Sequence, residues 1–405
     1  MATPWLRNVM ASAEAGPVVP TPADLALLDR LKNVGDPASD AVVDDLFAHG
    51  QVERVNELLH DWKVNGQPLP EGLPEKVIAF LTAGLAVPAW ADQAAISRAQ
   101  RFEQNHAIEE GITAALHTTI GRVRMPMEMS AIDRAVDMND PELFAGKAAQ
   151  LLVGFYQADP FGPSSNLLVD LLKTRMMHSA VRHLLVADHW DHAQWGTPIN
   201  QITFLQNWTM FTNAAYDTLP KFGTTMTPQE QEDHLHLWRV YGAMLGMPLD
   251  ILPTTVADSL HIAAVLKQQL SQDSAKANAQ AQQAIDAMAS IVSGPASPVV
   301  RPFVNAFVRY VIGDEEADHI HLARDPLLDS SVKVAVPAAF KIINTVGASG
   351  LPRGEFNDVL FSLVQRWLER EHGDVDLPMN TSLLPEASTG HPATPGPEAA
   401  QAPAS

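Results

Sequence analysis

The 405-residue chain contains no cysteine. That removes disulfides, zinc–thiolate sites, iron–sulfur clusters and cysteine nucleophiles together, and leaves histidine, carboxylate and lysine as possible metal ligands. Positive charge is also scarce: 27 basic residues stand against 47 acidic ones, for a net charge of −20. No basic run of five or more occurs, so neither nucleic acid nor an anionic membrane is an expected partner. No apolar run approaches a membrane span, and the opening Met1-Ala2-Thr3-Pro4-Trp5-Leu6-Arg7-Asn8 lacks both the charged-then-apolar order of a secretory signal and a twin arginine. The expected location is the cytoplasm. Also missing are GxSxG, P-loop, HExxH and EF-hand patterns and a GxGxxG after a strand, so the major hydrolase, nucleotide and zinc-peptidase signatures have no support.

What is present is helical periodicity. With 46% hydrophobic residues the chain can bury a large core, and no alternating strand run or 20 to 50 residue repeat stands out. The expected fold is all-α, a single large irregular helical bundle over residues 23–375, with a loose arm at 1–22 and a Pro/Ala-rich disordered tail at 376–405. Helices are expected near 40–49, 52–64, 74–85, 92–117, 141–157, 167–187, 199–219, 228–245, 255–270, 274–292, 300–312, 332–346 and 353–371. Pro228 after Thr227 and Pro141 after Asp140 read as first-turn prolines behind a cap, and Gly246 with Pro248 closes a helix.

The most informative stretch is Lys173-Thr174-Arg175-Met176-Met177-His178-Ser179-Ala180-Val181-Arg182-His183. At 100° per residue, Arg175 and Arg182 lie about 60° and 40° around the helix from His178, and His183 about 140° away. An imidazole flanked by two guanidiniums suits an iron porphyrin, whose metal takes an axial imidazole and whose propionates take cationic partners. The competing reading is structural. A lone histidine on an apolar helix is more often a hydrogen-bonded core residue, and the arginines can pair with Asp170, Asp188 or glutamates of neighbouring helices.

Other constellations are weaker. Asp188-His189-Trp190-Asp191-His192 matches no metal motif and reads as a solvated helix end. His234 and His236, like His319 and His321, differ by two positions and point apart on a helix. Glu128 and Lys147 sit in or near apolar segments; either could line a cavity, where a glutamate serves as acid or base, although spacing alone favours the surface.

The Arg175 to His183 run resembles the signature of the latex clearing protein, or rubber oxygenase, family, which also includes the MpaB-type oxygenases. The resemblance extends through Pro88-Ala89-Trp90-Ala91-Asp92 with Phe102, Gly196-Thr197-Pro198-Ile199-Asn200-Gln201, Leu237-Trp238-Arg239 with Gly242, and Arg301 to Gly313, so that residues 74–345 are covered. It implies an all-helical, globin-like fold binding haem b, with His178 as the iron ligand and Arg175, Arg182 and His183 as haem anchors and supporting groups. It also implies Glu128 as a base toward the substrate and Lys147 at the oxygen side of the iron. The family's distal Arg-x-x-Lys-Thr is here Phe144-Ala145-Gly146-Lys147-Ala148, keeping only the lysine. The expectation is therefore a haem b oxygenase using O2 on a small apolar alkene, prenyl, terpenoid or unsaturated acyl, rather than on rubber. A non-catalytic haem carrier or sensor, or a helical scaffold, is the alternative, and the oligomeric state is left open.

Overall fold

Capping residues set the helix starts. Thr21 and Thr227 each accept a bond from the backbone N–H three residues on, and Asp24 and Glu230 accept one back from the cap N–H, with proline in the first turn of both helices. Asp92 caps Ala94 and Ala95, and Asn200 caps Ile202 and Thr203. The computed structural model describes residues 18–136, 150–293, 297–347 and 376–384. Its helices are α1 (Pro22–Leu31), α2 (Pro37–Ala48), α3 (Val52–Leu59), α4 (Glu75–Gly84), α5 (Gln93–Val123), α6 (Pro126–Ala135), α7 (Leu167–Ala187), α8 (His192–Trp195), α9 (Gln201–Thr218), α10 (Pro228–Met244), α11 (Val256–Leu270), α12 (Ala275–Ser293), α13 (Ser297–Ile312), α14 (Asp314–His319) and α15 (Pro326–Gly347). No strand occurs among the described residues, and none of their helices is long and apolar enough to cross a membrane.

α5, at 31 residues about 46 Å long, joins two hydrophobic cores. Its first half packs Ile96, Ala99 and Ala107 with α7, α9, α10 and α11 around Trp208, Trp238 and Tyr241. Its second half places Leu116 and Ile120 among α12 to α15 around Phe222. A third core, centred on Trp62, seats α2, α3 and α4 against Val169, Leu172, Met176 and Ala180 of α7. Buried on nearly every side, α7 is thus held between two cores, and His178 lies at its middle.

The all-helical expectation holds, and α7 begins and ends where periodicity placed it. Among the helices that were not expected, two open on a proline that reads as loop punctuation but serves as a first-turn residue. Pro22 opens α1 inside the supposed arm, and Pro126 opens α6, where no helix was expected. The expected helix at 353–371 lies outside the described residues, and of the one at 141–157 residues 150–157 are described, helical over 150–155. The tail expectation needs correction for residues 376–384. Asp376 pairs with buried Lys173 at 2.9 Å, Leu377 and Met379 are buried, and the Leu384 N–H donates to the Arg134 carbonyl. Leu and Met spaced two apart gave this short extended segment an apolar face that its Pro-rich composition masked.

Candidate active site

A cavity of about 260 Å³ lies between α6, α7, α9 and α10. Its walls are mainly apolar, including Ile132, Leu151, Phe155, Val181, Phe204, Phe211 and Trp238. Thr174, Met177, His178 and Val181 supply the α7 face. Relative to His178, the other three fall about 40°, 100° and 60° to one side of the helix. The Phe204 ring meets the imidazole edge-on at 5.4 Å.

Burial, with help from the Arg182 and Arg122 charges, pushes the His178 imidazole down to about 3. It is therefore neutral at physiological pH, with a lone pair available to a metal. Nδ1 is buried without a hydrogen-bond partner among the described residues, and the residue lines the cavity. A neutral imidazole lining an apolar cavity has the chemistry of a ligand to a metal or a metal-bearing cofactor.

Glu128 faces the same cavity from the first turn of α6. Burial raises its carboxyl above the ordinary glutamate value, against the opposing pull of Arg122 and Asn207. Arg122 Nε lies 3.0 Å from one carboxylate oxygen, and Asn207 Nδ2 stands 3.1 Å from both. Such a carboxylate is held in one orientation and is more basic than in water.

The arginines do not share the cavity. They lie about 60° and 40° to the other side of His178, where α2 presents carboxylates at every fourth residue. Arg175 makes a bidentate pair with Asp36 at 2.7 and 2.9 Å and stacks its guanidinium 4.9 Å from the Phe80 ring centre. Arg182 Nε bonds Asp40 at 2.9 Å while Nη1 donates to the Pro198 and Ile199 carbonyls. His183 bonds Asp44 at 2.7 Å and stacks on Phe47. These three residues form a ladder that fixes the helix carrying His178, which is the supporting one of the two roles the resemblance implies for them. Two glycines make room for it. A Cβ on Gly35 would sit 2.6 Å from both Arg182 Nε and Asp40 Oδ2, and one on Gly246 would sit 2.5 Å from Asp36 Oδ2.

Lys147 lies outside the described residues. Asp188, His189, Asp191 and His192 are exposed, with Asp188 paired to Arg134 and Asp191 capping α8. His234 is buried, whereas His236 accepts a bond from the Asp92 N–H, so the two point apart as expected. Sequence reasoning missed Arg122 and Asn207 as partners of Glu128, and Leu377 and Asn380 as part of the cavity wall. Nothing local in the chain marks any of the four.

These features define a class: an all-α protein with an apolar cavity lined by a neutral histidine and a largely buried glutamate. Comparison with known proteins gives the group within it. The catalytic-domain model described as ER-bound oxygenase mpaB/B'/Rubber oxygenase matches residues 171–339. Rubber oxygenase of Streptomyces sp. (strain K30) is 29% identical over 321 residues, covering 75% of this chain and 74% of that one. The solved structure of latex clearing protein LCP in the closed state superposes with a TM-score of 0.69 at 26% identity, over 83% of this chain and 90% of that one. The chain is similar to the rubber oxygenases in both sequence and fold.

Proposed function

We propose that the protein is a haem b-dependent oxygenase that cleaves the double bond of an apolar alkene-bearing substrate, isoprenoid, terpenoid or unsaturated acyl, with O2. The observation that carries the reading is the opening of His178 and Glu128 into one apolar cavity. His178 is the residue that would hold the iron. Haem, when bound, would supply the binding and activation of O2.

The chain's own groups supply the rest. The apolar wall takes up hydrocarbon at roughly 25 cal/mol per Å² and keeps water out. Glu128, held by Arg122 and Asn207, is positioned to accept a proton from the carbon next to the double bond and to return it before the carbonyl products leave. Adding both oxygen atoms across the broken double bond gives two carbonyl products and needs no external reductant. Lys147, kept in this lineage's distal segment, is assigned to the oxygen side of the iron, and that assignment rests on the resemblance.

The test combines spectra with turnover. Wild type loaded with hemin should show a Soret band and b-type reduced bands, and His178→Ala should lose or strongly alter them. Oxygen uptake with an isoprenoid alkene should yield carbonyl products, and Glu128→Gln should slow it by about a hundredfold or more with the Soret band unchanged. A stable ferrous–oxy spectrum that consumes no alkene would replace the reading with a carrier or sensor. No Soret band at all in wild type would remove the haem.

A further inference from the structure

α5 and α10 face each other across three buried ionisable groups that the cavity does not use. Glu103 and Glu110 are seven residues apart on α5, so they point about 20° from one another on one face. His234 comes from α10, and none of the three is more than 2% exposed. His234 Nε2 lies 3.1 Å from the Thr212 carbonyl, which can only accept. Nε2 therefore carries a proton, and in the neutral ring Nδ1 presents its lone pair to the carboxylates. That lone pair is 3.0 Å from one Glu103 oxygen and 3.9 Å from one Glu110 oxygen.

Lone pairs thus face lone pairs. Neither Nδ1 nor any oxygen of Glu103 or Glu110 has a hydrogen-bond partner among the described residues. The neighbouring Trp238 indole leans its N–H toward Glu103 and favours its charge without closing a bond. Two buried carboxylates without a counter-charge cost several kcal/mol each. Either protons or a cation must balance them.

We infer that Glu103, Glu110 and His234 bind a divalent first-row transition-metal ion. One donor atom from each residue lies within 4.8 Å of the others. Tetrahedral ligands at about 2.1 Å from an ion stand about 3.4 Å apart, so a contraction of at most about 1.4 Å closes the site. Two glutamates and a dication sum to zero, which removes the charge from the interior. An imidazole beside two carboxylates suits zinc, iron or manganese, whereas magnesium and calcium take oxygen alone. The Thr212 carbonyl holds the ring in the ligating tautomer, the supporting bond that metal-bound histidines carry. The ion staples α5 to α10, whose Trp238 and Tyr241 form part of the cavity wall. This site is independent of the haem reading.

The test counts metal and haem separately on the purified full chain. Elemental analysis should give about one non-haem transition metal per chain. After chelation, Zn2+ should rebind at about one equivalent and raise the thermal midpoint. Glu110→Gln and Glu103→Gln should each weaken that binding at least tenfold with any Soret band intact, whereas His178→Ala should keep it. Chelated, folded wild type that takes up no Zn2+ would overturn the inference and leave a cluster balanced by protons. Equal Zn2+ affinity in wild type and both glutamine variants would overturn it too, by placing the metal elsewhere.

Discussion

The ladder between α2 and α7 makes a graded prediction. Asp36, Asp40 and Asp44 are chemically alike, but their side chains are 3%, 26% and 62% exposed, and their partners Arg175, Arg182 and His183 are 10%, 5% and 33% exposed. Asparagine at position 36 keeps the bond from Ser39 N–H that caps α2, since Asn caps as well as Asp. It removes only the charge opposite a buried guanidinium, which costs about 3–5 kcal/mol. At position 40 Arg182 keeps its two carbonyl acceptors, so Asp40→Asn should cost about 1–2 kcal/mol. Asp44→Asn should cost less than about 0.5 kcal/mol, as exposed pairs do. Urea unfolding of the three variants reads these differences directly, and with no cysteine present no disulfide chemistry complicates refolding. Asp36→Asn combined with Arg175→Met should recover most of the loss, because the cost lies in the unpaired charge rather than in the missing pair. Equal losses at 36 and 44 would refute the argument. So would an Arg175→Met variant of normal stability that no longer binds hemin, which would return Arg175 to the cofactor.

Gly246 has φ +88° with the Asp36–Arg175 pair against its missing Cβ, whereas Gly223 has φ +87° and nothing within 4 Å. Gly223→Ala should therefore cost only the backbone term, about 1–2 kcal/mol, and Gly246→Ala measurably more; equal losses in urea would mean the ion pair yields freely. Asp170 is pushed up to about 7 by burial, against hydrogen bonds from Gln150 and Asn166 and the charge of Lys173. The native state then keeps a proton that the unfolded chain releases near 3.8, so this contribution is full below that value and is lost as pH rises through about 7. Asp170→Asn should gain on wild type by up to about 1.4 kcal/mol per pH unit between these limits, and a difference that does not vary with pH would exclude the shift.

How much of this was legible in the chain divides along a physical line. α7 could be bounded to the residue because its apolar positions, its length and the polar Asp188 behind it agree, and His178 stood out because a polar ring in such a helix needs a use. The arginines were visible for the same reason, yet their partners were not. An angle of 40° to 60° from His178 suits either edge of the same face, and only the packing of α2 shows which edge meets the cavity and which meets carboxylates. The Asp36, Asp40, Asp44 spacing of four was in the sequence as a striped helix face, but a stripe of aspartates reads as solvated until a second helix is known to lie on it. Glu103 and Glu110 carry the same lesson at larger separation: seven residues apart, they announce one face of α5, and nothing in the chain says that a histidine from α10, more than a hundred residues on, faces them. Local chemistry thus marks which residues must be doing something, while the identity of the group that answers each of them is a property of the packed helices.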